Sequence, residues 1–72
     1  GPVSPEQQPA VIKILKDGAT QEYNVLARAA AVSGLRHYTE ADATETLMTA
    51  CQDRSPVVRA EACRSLTAHQ SP

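Results

Sequence analysis

Gln52-Asp53-Arg54-Ser55-Pro56-Val57-Val58-Arg59-Ala60-Glu61-Ala62-Cys63-Arg64-Ser65-Leu66 reads as a tight turn that feeds a helix. Ser55 is a good N-cap, because its hydroxyl oxygen accepts from the unpaired N–H groups of the first turn. Pro56 suits the first helical position, where its missing N–H had no helical partner to lose. Val58, Ala62 and Leu66 recur at i, i+4 and i+8, a stripe along one side. Asp53 sits in the turn, and Arg59 lies six residues on, inside the helix.

The preceding residues give this helix a partner. His37-Tyr38 is a connection, and Thr39 followed by Glu40, Ala41 and Asp42 is a helix start, since acidic side chains favour the first turn. Ala43, Leu47, Ala50 and Cys51 then share a side, with Met48 at its margin. Further back, Ser4-Pro5-Glu6-Gln7 fits a capping box. Pro9 follows where a helix interior needs an N–H. Either a single turn at residues 5–8 leads into the first helix, or that helix begins at Pro9. Val11, Ile12, Ile14 and Leu15 form its apolar part. Asp17-Gly18 is expected to stop it, with Gly18 in the left-handed position after the helix. Residues 19–24 are a linker or first turn, with Thr20 or Asn24 as the next cap. The second helix runs to about Arg36 with Ala27, Ala31, Val32 and Leu35 on its inner face. Gly34 inside it costs about 1 kcal/mol relative to Ala and implies a close backbone approach.

The chain has 72 residues, 42% of them hydrophobic but only 3% aromatic, with no Phe or Trp. That length allows one small domain, whose core must be built from Ala, Val, Leu and Ile. The net charge of −1 argues against nucleic acid as a partner, which calls for a basic stripe. No apolar run approaches the length of a membrane span. Gly1-Pro2 resembles the scar of a tag-removing protease, so the compartment is not readable. The organisation expected is a polar segment at residues 1–8, one domain at residues 9–69 and a tail at residues 70–72.

The two halves of the domain match. Arg28-Ala29-Ala30-Ala31-Val32-Ser33-Gly34-Leu35 lies over Arg59-Ala60-Glu61-Ala62-Cys63-Arg64-Ser65-Leu66 at an offset of 31. Ile12 and Leu15 lie over Leu47 and Ala50 at an offset of 35. Asp53, Pro56, Val58, Arg59, Ala62 and Leu66 together resemble the HEAT repeat, with repeats at residues 9–37 and 39–69; the first departs from the pattern around its turn. The resemblance implies an all-α solenoid fragment: four helices in two stacked antiparallel pairs, right-handed. A compact four-helix bundle is the other architecture compatible with four short helices. The resemblance also implies a ladder of turn Asp and helix Arg, placing Asp53 with Arg59, and Arg28 with Asp17 or Glu22.

No nucleophile motif, phosphate loop or metal-ligand spacing is present, so no catalytic residue, metal or cofactor is expected. Cys51 and Cys63 are expected as core thiols, with a disulfide or a metal site as the other readings. Glu40, Asp42 and Glu45 read as helix-start charges. Arg54 and Arg64 are diluted by Asp53 and Glu61. The function expected is a non-catalytic scaffold for protein–protein interaction within a larger protein that supplies neighbouring repeats. Its partner surface would be the second helix of each pair: Ala30, Ser33 and His37, with Glu61, Arg64 and Ala68. The alternatives are a regulatory or substrate-positioning module of an enzyme whose catalytic domain lies elsewhere, and a nucleic-acid-binding HEAT-like domain.

Overall fold

The computed structural model describes residues 3–70, and of Gln70 the backbone alone. Gly1, Pro2, Ser71 and Pro72 lie outside the described residues, and so does the reading of Gly1-Pro2 as a processing scar. Among the described residues there are four helices and no strand: α1 (Gln8–Gln21), α2 (Val25–Leu35), α3 (Ala41–Ala50) and α4 (Pro56–Gln70). Helix α4 thus includes Gln70, the first residue of the expected tail.

The start of α1 follows the single-turn reading. The N–H groups of Gln7 and Gln8 both donate to Ser4 O, at 2.9 and 3.1 Å. The N–H of Ser4 donates to Gln7 Oε1 at 3.3 Å. Pro9 then falls in the first turn of α1, where no N–H is needed.

The end of α1 corrects the expectation. The helix does not stop at Gly18 but runs on to Gln21, and no glycine among the described residues has a positive φ. The reason is spatial. A Cβ on Gly18 would lie 2.9 Å from Ala31 Cβ on α2, so the glycine serves a close helix crossing rather than a chain reversal. Thr20 is consequently inside α1, where its hydroxyl donates to Lys16 O at 2.8 Å. Asn24 caps α2, its Oδ1 accepting from Ala27 N–H at 3.0 Å. Gly34 has the expected close approach: a Cβ there would meet Leu15 Cδ2 at 3.0 Å. Helix α3 begins after Glu40 rather than Thr39 and has no side-chain cap, though Asp42 stands in its first turn.

Ile12 and Ala19 of α1, Ala31, Val32 and Leu35 of α2, Ala43, Leu47 and Ala50 of α3, and Val58 and Ala62 of α4 form the core. These are small or medium side chains, and they let the helices approach closely. Ala27 is exposed, contrary to expectation, and Arg28 takes the inner position. Arg28, Ala31, Val32 and Leu35 follow i, i+3, i+4 and i+7, a better helical face than one starting from Ala27.

The packing is that of stacked hairpins. Helix α1 pairs with α2 and α3 with α4; α1 also packs on α3, and α2 on α4. Among the described residues α1 and α4 do not pack on each other, whereas an up-and-down bundle closes by bringing its first and last helices together. One layer is therefore α1 and α3, the other α2 and α4. Polar contacts also join the second layer: Ser65 Oγ donates to Val32 O at 3.5 Å, and His69 Nε2 lies 3.3 Å from Leu35 O. Across the first layer Lys16 pairs with Asp42 at 3.4 Å on the surface.

Candidate functional site

The residue types that carry charge in the two turns meet in one place. Asp53 follows α3, where its N–H donates to Ala50 O at 3.0 Å. Its Oδ1 accepts from the Ser55 N–H at 2.8 Å, which orders the turn into α4. Ser55 Oγ then accepts from the Val57 N–H at 3.2 Å, the capping bond that the Ser-Pro pair foretold. Helix α2 delivers Arg28 into this turn from the other repeat. Arg28 Nε donates to Asp53 Oδ2 at 2.8 Å, and Nη2 donates to Oδ1 at 3.0 Å. Nη1 donates to Glu22 O at 2.8 Å and Tyr23 O at 3.2 Å, the carbonyls that precede α2. The Arg28 side chain is 1% exposed and that of Asp53 8%. A fork–fork pair of this kind is tolerated inside because each charge meets directed partners. No described buried side-chain nitrogen or oxygen is left without a partner.

The Arg28 guanidinium holds the Asp53 carboxyl below its ordinary range, overcoming the opposing effect of burial. Asp53 in turn pushes the Arg28 guanidinium upward. Both groups are charged at neutral pH.

The expected ladder is thus rearranged. Arg59 does not meet the Asp53 carboxylate; its Nη1 donates to the Asp53 main-chain carbonyl at 2.8 Å. Arg28 makes the same six-residue reach to Glu22 O, so both arginines brace the turn before their own helix. Glu22 contributes that carbonyl and not its carboxylate. Asp17 is not a rung at all. It pairs with Lys13 one turn earlier on the exposed side of α1, at 3.0 Å, because the continuation of α1 past Gly18 keeps Asp17 in mid-helix.

The partner-surface candidates divide by helix. Ala30 and His37 are exposed and Ser33 half-buried along α2 and the turn after it; Arg64 and Ala68 are exposed and Glu61 half-buried along α4. Glu61 joins the two sets. Its Oε2 accepts from Arg64 Nη2 at 2.6 Å and from Arg64 Nε at 3.2 Å. That bond leads in lowering its carboxyl below the ordinary range, with help from Ser33 and the charge of Arg36 across on α2.

Two large apolar residues outside the candidate set are exposed on the same two helices. Leu26 is 74% exposed and Val57 49%. They are related by the same offset of 31 as Arg28 and Arg59. Positions 26, 30 and 33 share one face of α2, with 37 in the turn after it, and positions 57, 61, 64 and 68 share one face of α4. The signal lies two residues upstream of the matched octets. The cysteines also differ from expectation. Cys51 is half-buried and Cys63 exposed, because Cys63 is one position past Ala62 and so rotated away from the inner line of Val58, Ala62 and Ser65.

Among the described residues no group of three or more His, Cys, Asp or Glu side chains is placed to hold a metal ion, and no helix is long and apolar enough to cross a membrane. The family model of HEAT repeats matches residues 9–72. The chain belongs to the HEAT-repeat family. HEAT repeats commonly serve as protein-interaction scaffolds. Neither curated proteins nor solved structures give a significant match to this HEAT-repeat chain.

Proposed function

We propose that this HEAT-repeat pair is a non-catalytic scaffold that binds a protein through the adjoining faces of α2 and α4. The observation that carries this reading is the repeated exposure of large apolar side chains, Leu26 and Val57, at equivalent positions of the two repeats. Each heads a line of exposed or half-buried residues, and Ser33 of one line meets Glu61 and Arg64 of the other. Apolar anchors beside polar groups already fixed in place are what a protein partner reads. The mixed charge of the face, with Glu61 compensating Arg64, suits a folded or helical protein segment better than a polyanion.

The test is site-specific photo-crosslinking. A photoreactive residue at position 30 on α2 or 68 on α4 is expected to capture the same protein. One at position 45, on the exposed side of α3, is expected not to. Capture should disappear in the double variant Leu26→Lys with Val57→Glu while the melting midpoint holds. Equal capture from position 45, or capture that survives the double variant, sinks the proposal.

A further inference from the structure

The two thiols stand side by side. Cys51 is the residue that ends α3, and Cys63 lies in α4 two turns above its start. Their sulfurs are 3.9 Å apart, close to van der Waals contact, and each is a free thiol. The two positions belong to one short hairpin, and a disulfide requires the sulfurs to close from this separation to about 2 Å. Cys63 is exposed and Cys51 half-buried, so one sulfur is reachable from solvent while the other waits behind it. Cys63 also lines an open hollow of about 500 Å³ on the outer side of α4, with Arg64, Thr67 and Ala68. Arg64 at this hollow is paired with Glu61 at 2.6 Å, so the hollow offers a small disulfide room to reach Cys63 without a net charge of its own.

We propose that Cys51 and Cys63 are a modification site, a dithiol that a low-molecular-weight disulfide of the glutathione class converts into a bond between α3 and α4. In the first step the Cys63 thiolate attacks one sulfur of the small disulfide. The S–S bond of the reagent breaks, a mixed disulfide forms on Cys63, and one small thiolate leaves and takes up a proton. In the second step the Cys51 thiolate attacks Cys63 Sγ. The mixed disulfide breaks, the Cys51–Cys63 bond forms, and the second small thiolate leaves with the second proton. The two cysteines are oxidised by two electrons and the small disulfide is reduced to two thiols. Burial, followed by the neighbouring Cys63 sulfur, pushes the Cys51 thiol up, which agrees with Cys63 as the attacking residue and Cys51 as the resolving one. The product ties the end of α3 to the middle of α4 and fixes the hairpin that carries half of the exposed face.

The folded chain is incubated with oxidised glutathione and followed by intact mass and non-reducing electrophoresis. The expected product is a monomer lighter by two hydrogens, restored by dithiothreitol, with a melting midpoint raised by roughly 5–15 °C. Cys51→Ala should stop at one stable glutathione adduct, and Cys63→Ala should react at least about tenfold more slowly than Cys51→Ala, as its remaining thiol is the shielded one. Both substitutions are at partly exposed positions, and helical circular dichroism verifies their folding. Stable adducts on both cysteines of the wild-type chain, or disulfide-linked dimers, overturn the proposal. So does a closed monomer whose midpoint is unchanged or lowered, because the bond would then form from an opened hairpin.

Discussion

Arg28 is the residue on which both repeats depend. One edge of its guanidinium closes the turn that precedes its own helix, and the other grips the turn of the next repeat. Removing one member of a buried pair strands the other without water. Asp53→Asn keeps the shape but sets an NH2 group against guanidinium donors. The melting midpoint at pH 7 is expected to fall by roughly 10 °C or more, as read by calorimetry. The pH dependence follows from the same bond. A carboxyl lowered by folding stabilises the fold above its unfolded pKa, about 4, and that contribution is lost as pH falls through the lowered folded value. Wild-type midpoints should be level from pH 7 to about 5 and drop below about pH 4. Asp53→Asn should show a shallower drop, with Glu61 supplying what slope remains. An unchanged slope would assign the acid sensitivity to other carboxylates. The position of Arg28 was legible in its spacing to Ala31, Val32 and Leu35. A guanidinium is an unusual occupant of an inner face, so apolarity pointed to Ala27 instead. What the sequence lacked was any local sign that a carboxylate 25 residues away would receive it.

At the scale of elements, α4 was readable almost to its ends and α1 was not. The start of α4 is written in neighbouring residues, a serine cap, a proline and an apolar stripe, and the structure uses each of them. Asp17-Gly18 carries equally local stop signals, yet the glycine answers to Ala31 on another helix. The two helical glycines should accordingly respond unequally to a methyl group. Gly18→Ala gains helix propensity but drives Cβ against Cβ, both anchored on backbone, and should lose about 1–3 kcal/mol in urea unfolding. Gly34→Ala meets the end of the Leu15 side chain, which can rotate, so the propensity gain should leave it within about 1 kcal/mol of wild type. Equal losses at the two positions would refute the distinction between a rigid and a yielding neighbour. The exposed cysteine arose from the same kind of shortfall: a one-residue step on α4 moves a side chain by about 100°, and the stripe alone did not fix on which side of that step the edge of the core falls.

The whole molecule is two hairpins, each held by contacts near in sequence, docked across α1–α3 and α2–α4. Folding order should reflect that inequality, since near contacts close at a small entropy loss and remote ones wait. The Arg28–Asp53 pair requires both turns to exist before it can form. Interactions missing from the transition state act mainly on the unfolding rate. In stopped-flow chevrons, Asp53→Asn is therefore expected to accelerate unfolding by at least about tenfold while slowing refolding by less than about threefold. A refolding rate that absorbs most of the change would instead place hairpin docking in the nucleus. The face shared by α2 and α4 exists only while the hairpins stay docked. The ion pair between their turns is, on this view, a timer: it governs how long each copy of the chain keeps that face assembled before it lets go.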